Sequence, residues 1–393
     1  MKLILRPHQA RVIQENKHAI LLAWDTRTGK TLAAIEWAKQ KEGYPRLPAL
    51  IVVPKNLKTK WTDDCVKYDF KALIVSKEVF KIDATDNMLL NVSSIIIDEA
   101  HHHSSALFVK PRSRLAVSTY EFLQKHSELP RAICTATPTR SSPWNLHTLM
   151  CYIGEYKDWK KWREYFFEKV RVPYANYPIW QPKKNWRVLI RKPLEKYADI
   201  VLYRDCIGMV PKETEEIERI KTVYPEVAEE WTVPKRWHEM HRAEAMNEAK
   251  IDRIIEIGQT VRKMLVVCYY RDQIPYYAER LAKDKRVYVI DGRTKDGSLV
   301  AKEAHADDEC YLICQSSCAA GWEFSSASVA VFATMDFSYL NYTQTKGRLR
   351  NVDDPHPIIY YHLIGGKYDK AVYDRVSMGK DFDVAEYTKH ETT

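Results

Sequence analysis

The residues best suited to chemistry near the start of the chain follow a short apolar run. The run AILLAW (residues 19–24) leads into DTRTGKT and then into a helical stretch, TLAAIEWAKQ. In this strand, loop and helix order, phosphate binds to backbone N–H groups of the loop, here around Thr28 and Gly29, and to the start of the helix. Lys30 would neutralise phosphate charge, and the Thr31 hydroxyl would hold Mg²⁺. The pattern predicts a nucleotide site.

The loop departs from the usual phosphate-binding sequence at two positions. Such a loop normally begins with Gly five residues before its second Gly, and that place is taken by Trp24. Arg27 stands where another Gly is common. Because Ala23 and Gly29 remain small, we expect a stiffer loop that still accepts phosphate.

Two acids end a second apolar run, where SIIID leads into DEAHHH. Adjacent carboxylates can mark a solvated strand end, but the carboxyl end of a buried parallel strand is where a nucleotide site requires them. Asp98 would bind Mg²⁺ through water, and Glu99 would orient and deprotonate the water that attacks the γ-phosphoryl group. His101, His102 and His103 are consecutive, so their side chains should diverge, which argues against a metal site there.

The positive charge is concentrated in one segment of the chain. The net charge is +9, and residues 157–192 alone hold eleven Lys or Arg, three acids and nine aromatic residues. This composition suits a nucleic acid whose bases can stack, and it equally suits a solvated surface over a small aromatic core. The candidate phosphate contacts in the segment are Lys160, Lys161, Arg163, Lys183 and Lys184.

The cysteines and the hydropathy indicate a soluble, cytoplasmic protein. Eight cysteines without a Cys-x-x-Cys pair favour reduced thiols over disulfides. Cys310, Cys314 and Cys318 are predicted to lie on one face of a strand, in a core rather than in a zinc site. No apolar run approaches the roughly 20 residues of a membrane span, and Arg6 and Pro7 interrupt any signal-peptide core.

The order of apolar runs predicts two α/β units. Five short runs, apolar on both faces and separated by helical stretches, indicate a parallel sheet covered on both sides in residues 1–150. Residues 151–245 form an intervening segment, which we expect to be helical, basic and aromatic. The alternation of strands and helices returns in residues 246–393. The predicted fold class is therefore α/β, with two doubly wound parallel-sheet domains in tandem.

Several segments in sequence resemble the motifs of superfamily 2 helicases, specifically the Swi/Snf-type branch. They are LRPHQ, GKT, VVPKNLKTKW, VSKEVF, DEAH, TATP and QTKGRLR, and they cover nearly the whole chain. The resemblance implies two RecA-like domains and an ATP-dependent DNA helicase or translocase that uses ATP and Mg²⁺. It implies duplex, forked or branched DNA as the partner of a monomer. The compact size is similar to forms encoded by bacteriophages and their hosts, which suggests DNA replication, recombination or repair.

The resemblance also assigns roles to residues of the first domain. Gln9 would read the adenine edge, with Arg6 beside it. The segment that meets the nucleic-acid backbone in the family corresponds here to Pro54, Lys55, Lys58 and Trp61. His101, Thr135 and Thr137 would sense the γ-phosphate and pass its state to the nucleic-acid groove.

In the second domain the resemblance places Gly321 on a loop that touches both ATP and DNA, and Gln344 near the γ-phosphate. The family reads Gln-x-x-Gly-Arg-x-x-Arg, whereas this chain has Asn351 at the last position and Arg350 one place earlier. Either Arg350 reaches the phosphate from a shifted turn, or Arg348 alone serves as the arginine finger.

Two other functions remain open at this point. One is an RNA helicase, which is disfavoured because Swi/Snf-type relatives track DNA. The other is a nucleic-acid scaffold whose ATPase is weak or lost, as Trp24, Arg27 and Asn351 suggest. DNA-stimulated ATP turnover separates the motor from the scaffold.

Overall fold

A computed structural model describes residues 4–83, 91–110, 112–140, 142–156, 158–171, 178–206, 213–226, 231–351 and 353–384. The chain divides into two compact units, Met1–Cys206 and Ile207–Thr393. The segment expected between two domains, residues 151–245, is thus shared: its first part packs with the first unit and its remainder with the second. Among the described residues no helix is long and apolar enough to cross a membrane.

The first unit is built on a parallel sheet. Its strands are β1 (Ala19–Trp24), β2 (Ala49–Val53), β3 (Ala72–Ser76), β4 (Ser94–Ile97), β5 (Arg131–Thr135) and β8 (Asp199–Val201), with a separate hairpin of β6 (Phe167–Val170) and β7 (Ile179–Pro182). The six sheet strands run in the order β3-β2-β4-β5-β1-β8, and all the pairings are parallel. β2, β4 and β5 are buried along their whole length, because helices cover both faces.

The helices of the first unit are α1 (Pro7–Glu15), α2 (Lys30–Lys39), α3 (Lys58–Lys67), α4 (Lys77–Asp83), α5 (Arg114–Lys125), α6 (Pro143–Tyr152), α7 (Trp159–Phe166), α8 (Trp186–Leu189) and α9 (Arg191–Tyr197). Three of these helices, α5, α6 and α7, begin at side chains that cap them. The Ser113 hydroxyl accepts from Ala116 N at the start of α5, and Asp158 accepts from Lys161 N at the start of α7. Such caps satisfy N–H groups that lack a partner within the helix.

Aromatic side chains of the basic segment contribute to the core of the first unit. Trp162 is 3 % exposed and Trp186 is 8 % exposed, and both belong to a buried cluster with Phe166. Trp159 and Trp180 are half-buried at its margin. Of the two interpretations of this segment, the structure therefore supports an aromatic core beneath a charged surface for Trp162 and Trp186.

The second unit repeats the parallel arrangement. Its strands are β9 (Glu213–Arg219), β10 (Lys263–Cys268), β11 (Arg286–Ile290), β12 (Cys310–Gln315), β13 (Val329–Phe332) and β14 (Ile358–Ile364). They run in the order β11-β12-β10-β13-β14-β9, again all parallel. The helices are α10 (Val233–Ala245), α11 (Glu248–Gly258), α12 (Gln273–Leu281), α13 (Gly297–Ala306), α14 (Tyr339–Lys346) and α15 (Lys367–Ser377).

The expected strand that would carry three cysteines is shorter than predicted. Cys310 and Cys314 are buried on β12, on one face, as expected. Cys318 lies beyond the strand, in the 3₁₀ turn Ser316–Cys318, and is half-buried. In the described part of the chain, no three His, Cys, Asp or Glu side chains are grouped so that they could hold a metal ion.

A buried charge network joins three helices of the second unit. Lys250 of α11 is fully buried, and its Nζ lies 2.5 Å from Asp369 Oδ2 on α15. His241 Nε2 of α10 lies 3.1 Å from Asp369 Oδ1. Burial alone would raise the pKa of Asp369, but the charge of Lys250 and the close contact with His241 outweigh it and lower the pKa to about 2. The ion pair is thus a fixed part of the core.

Replacing Asp369 with Asn should strongly destabilise this unit, because it leaves the Lys250 ammonium buried without a counter-charge. We expect a loss of about 3–5 kcal/mol in the free energy of unfolding, measured by urea denaturation. Glu256→Gln breaks only the exposed pair with Arg253 and should cost about 0.5 kcal/mol or less.

Acid should weaken the same network in the wild-type protein. Since the folded pKa of Asp369 lies below the unfolded value of about 3.9, its contribution is complete above roughly pH 4 and is lost as the pH falls towards 2. An Asp369→Asn variant as stable as the Glu256→Gln control would contradict this account.

Candidate active site

The predicted phosphate loop connects β1 to α2 and has the backbone conformation that the motif needs. Gly29 has φ +86° and Arg27 has φ +70°. Both lie in the left-handed region that favours glycine, so Arg27 adopts at some cost the conformation a glycine would take freely. A Cβ at position 29 would come within 2.4 Å of Gln9 Nε2. The backbone conformation therefore favours glycine at position 29, and a Cβ there would also displace the Gln9 amide.

Lys30 closes the loop on itself. Its Nζ donates to Trp24 O at 2.6 Å and to Asp25 O at 2.8 Å. Desolvation lowers the pKa of Lys30, although the charges of Glu99 and Asp98 act in the opposite direction. A desolvated ammonium that hydrogen-bonds to neutral carbonyls favours the arrival of an anion. Thr31, in the first turn of α2, is half-buried beside it.

Helix α1 supports the loop from one side. Gln9 is 3 % exposed, and its Oε1 accepts from Arg6 N at 2.8 Å while its Nε2 donates to Gly29 O at 3.1 Å. His8 Nε2 donates to Thr28 O at 2.8 Å. Here the LRPHQ segment positions the loop backbone. The role of Gln9 towards adenine stays a prediction.

The acid pair lies at the carboxyl end of β4, as expected. Asp98 is 8 % exposed; its Oδ2 accepts from Trp61 Nε1 at 2.9 Å and its Oδ1 accepts from Glu99 N at 2.9 Å. Trp61, expected to meet nucleic acid, is only 1 % exposed and instead holds Asp98. Pro54 is buried as well. The expectation that these two side chains contact a nucleic-acid backbone is therefore wrong for this conformation.

Glu99 is linked to the TATP segment through His101. His101 Nδ1 lies 3.2 Å from Glu99 Oε2 and 3.4 Å from Thr135 Oγ1, and Thr137 N donates to Thr135 Oγ1 at 3.1 Å. Burial alone would raise the pKa of Glu99, but the close contact with His101 and the charge of Lys30 lower it to about 2. The predicted coupling residues are thus brought together around an ionised carboxylate.

The donor set suits one magnesium ion held largely through water. Asp98 supplies carboxylate oxygens and Thr31 a hydroxyl, and Mg²⁺ is usually bound by one or two such ligands together with phosphate oxygens. Each Asp98 oxygen accepts one hydrogen bond and keeps a further lone-pair site.

In the second unit, the predicted arginines lie beyond the helix rather than in it. α14 ends at Lys346, before both arginines of QTKGRLR. Arg348 is 8 % exposed; its Nη1 donates to Trp322 O at 2.6 Å and its Nε donates to Gln344 O at 3.0 Å. Gly321, with φ +92°, precedes Trp322. The loop that was predicted to touch both ATP and DNA therefore contacts the last motif through Arg348.

Arg350 is engaged by a strand that the sequence did not predict. Its Nε donates to Glu213 Oε1 at 2.7 Å and its Nη2 to Glu213 Oε2 at 3.1 Å, on the edge strand β9. Asn351 Oδ1 accepts from the backbone N of Asp353 and Asp354, which closes a turn. The departure from the family sequence at position 351 therefore stabilises local structure.

Asp199 is a second carboxylate that sequence reasoning missed. It lies on the short edge strand β8 and accepts from Trp24 Nε1 at 2.6 Å. Both missed acids belong to edge strands, one of three residues and one rich in glutamate, and neither shows a buried-strand pattern. In the sequence, the only signal for these two acids was that Trp24 and Arg350 depart from the family pattern and would need partners of their own.

The five residues of the basic segment that were expected to meet phosphates differ in their surroundings. Lys160, Lys161 and Lys184 are exposed. The Arg163 guanidinium lies between the rings of Trp159 and Trp180, 5.1 and 4.4 Å from their centroids. Lys55 and Lys58, near the start of α3, are also exposed.

The side chain of Lys183, in contrast, caps the C-terminus of helix α7. Its Nζ donates to Glu164 O at 3.1 Å and to Tyr165 O at 2.8 Å, in the last turn of α7. A cation there satisfies carbonyls that have no partner in the helix. Its main role in this structure is therefore structural.

A solved structure, the helicase Lhr of Mycobacterium smegmatis bound to ssDNA and AMP-PNP, is similar to this chain. The two share 14 % sequence identity with a TM-score of 0.56, over 96 % of this chain and 49 % of Lhr. This chain spans about half the length of Lhr. The likeness confirms the predicted fold, two RecA-like parallel-sheet domains in tandem. No known protein family and no curated protein matches the sequence.

Lys183→Ala should lower the free energy of unfolding by about 0.5–1 kcal/mol, because the last carbonyls of α7 lose their charged donor. Thermal unfolding checks this, with the neighbouring exposed Lys184→Ala as the matched control that should change little. Equal melting temperatures for the two variants would contradict the capping role.

Proposed function

We propose that this chain is an ATP-dependent DNA helicase or translocase of superfamily 2, with Lys30 and Glu99 as its catalytic residues. The observation that carries the proposal is that Lys30 Nζ hydrogen-bonds to the Trp24 and Asp25 carbonyls on a glycine-type loop, with the charges of Asp98 and Glu99 acting on it. The tandem RecA-like fold supports it.

Each residue of the first unit has a distinct task in this proposal. Lys30 leaves the Trp24 and Asp25 carbonyls and neutralises charge on the β- and γ-phosphates. Glu99 is ionised at neutral pH, because its pKa is about 2, and it orients and accepts a proton from the attacking water. Asp98 and Thr31 would hold Mg²⁺, which supplies charge neutralisation when it is bound.

His101 connects the base to the rest of the domain. Because it contacts both Glu99 and Thr135, a change at the γ-phosphate alters the position of the TATP loop. In this proposal Thr137 carries the change towards the nucleic acid. In the second unit, Gln344, Arg348 and Arg350 belong to the last motif. Both arginines are candidate fingers, since Arg348 donates to the Trp322 and Gln344 carbonyls and Arg350 donates to Glu213.

DNA is the proposed partner. Lhr was solved with ssDNA, and superfamily 2 motors track nucleic-acid backbones. Exposed cations on the first unit suit phosphate contacts, which we assign to Lys55, Lys58, Lys160, Lys161 and Lys184. The motif order favours the Swi/Snf-type branch, acting as a monomer in replication, recombination or repair in a bacterial or phage-infected cell.

One observation favours a second candidate, a nucleic-acid scaffold with little ATPase. The Glu213 carboxylate holds Arg350 by two hydrogen bonds, and Trp24 fills the place of a loop glycine. A motor and a scaffold differ in whether DNA accelerates ATP turnover. An RNA helicase is distinguished by stimulation with RNA in place of DNA.

DNA should stimulate ATP turnover by the wild-type protein, measured as phosphate release with duplex, forked and single-stranded DNA. Lys30→Ala should reduce turnover at least about 100-fold, since phosphate charge is no longer neutralised. Glu99→Gln should reduce it about 10²–10⁴-fold while ATP still binds. Lys283→Ala, at an exposed position of the second unit, is the control that should match the wild type. Turnover that DNA does not change would favour the scaffold.

Replacing Lys160, Lys161 and Lys184 together with Ala should flatten the salt dependence of duplex binding. If all three meet phosphates, the slope of log K against log salt should become less negative by about 3. Fluorescence anisotropy at several salt concentrations measures this, and Lys183→Ala is the matched control with an unchanged slope. A triple variant with the wild-type slope would show that these lysines do not contact DNA phosphates and belong to a solvated surface.

A further inference from the structure

Trp24, which replaces the first glycine of the phosphate loop, is buried and contacts neighbouring residues through both its ring and its carbonyl. The Trp24 side chain is fully buried, and its ring packs edge-on against His8 at 4.8 Å. Its carbonyl accepts from Lys30 Nζ at 2.6 Å. Any movement of Trp24 therefore moves an acceptor of the catalytic lysine.

Asp199 fixes the other end of Trp24. Its Oδ1 accepts from the Trp24 indole Nε1 at 2.6 Å, and both its oxygens accept from Arg11 Nη2 at 2.9 and 2.8 Å. The Asp199 side chain is 20 % exposed and that of Arg11 is 50 % exposed. An exposed ion pair contributes little, whereas a hydrogen bond from a buried indole to a carboxylate is strong. The indole is thus the partner that matters for Asp199.

The strand that carries Asp199 also pins the backbone of the loop. β8 pairs with only the last three residues of β1, Leu22–Trp24. Beyond them, Asp25 N donates to Val201 O at 2.8 Å, and Tyr203 N donates to Asp25 Oδ2 at 2.9 Å. The edge strand and the residues after it therefore hold the backbone of the loop into its first turn, next to the position where a glycine would leave the backbone free to bend.

We propose that Asp199 is a positioning residue for the phosphate loop, and that its hydrogen bond to Trp24 sets the shape that a glycine supplies in other loops. The chain of contacts runs from Asp199 through the Trp24 indole and carbonyl to Lys30. Without the anchor, the Trp24 carbonyl shifts and Lys30 no longer meets phosphate in one geometry. This role rests on the proposed nucleotide binding.

Double-mutant analysis of nucleotide affinity tests the role. Binding of AMP-PNP with Mg²⁺ is measured by calorimetry, together with KM and kcat for ATP and with the melting temperature. Asp199→Ala and Trp24→Phe should each weaken binding about tenfold, roughly the loss of one well-aligned charged hydrogen bond from Lys30 to phosphate, and the double variant should be no weaker than either. KM should rise more than kcat falls.

Two matched variants separate positioning from stability. Asp199→Asn keeps an acceptor for the indole and should bind within about twofold of wild type. Arg11→Ala removes the other partner of Asp199 and should also bind within about twofold. If Asp199→Ala fails to fold, the comparison of Trp24→Phe with Asp199→Asn still decides, because Phe keeps a buried aromatic ring without the donor and Asn keeps the acceptor.

Several results would overturn the proposal. Variants with lower melting temperatures but wild-type affinity and KM would make Asp199 purely structural. Additive losses in the double variant, an Asn variant as weak as the Ala variant, or a full loss in Arg11→Ala would reject the indole bond as the cause. If the wild-type protein binds no more AMP-PNP than the Lys30→Ala variant does, the proposed function is overturned, and this role of Asp199 is overturned with it.

Discussion

The hydrogen bonds from Lys30 to the carbonyls of Trp24 and Asp25 are the interactions on which the candidate site depends. They hold a cation at the carboxyl end of a parallel sheet, where the chain must turn into a helix. The ammonium stays within reach of two acids and is hydrogen-bonded to neutral oxygens, so it costs free energy until an anion arrives. Helix α1 on one side and β8 on the other keep the loop in that state.

A second desolvated lysine shows what a structural cation looks like in the same chain. Lys250 is fully buried and paired directly with Asp369, and its remaining contact is the Ala333 carbonyl. That pair satisfies the charge within the fold. Lys30 is only half-buried and hydrogen-bonds to two carbonyls, while Asp98 is held by Trp61 and Glu99 lies beside His101. The difference in partners distinguishes Lys250, which stabilises its unit, from Lys30, which is available to bind an anion.

The sequence predicts the sheets well and individual contacts poorly, for one physical reason. Runs buried on both faces, such as those of β1 and β2, must be apolar, so β1 has the predicted bounds. Edge strands escape that constraint: β9 is acidic because its outer side is solvated, and its carboxylates meet the last motif. Residue type also does not fix direction. Trp61 suits a nucleic-acid surface by composition, yet it points inward to Asp98.

The departures from the family sequence bear on whether the site still works. Each one has a specific partner: Trp24 is held by Asp199, Arg350 by Glu213, and Asn351 caps a turn. A loop drifting away from nucleotide binding has no reason to keep a left-handed Arg27, because that conformation is unfavourable for a residue with a Cβ. Nor does it need an ionised Glu99, which costs desolvation energy that His101 and Lys30 offset. Retained strain and retained charge around a compensated loop favour a working nucleotide site over a lost one.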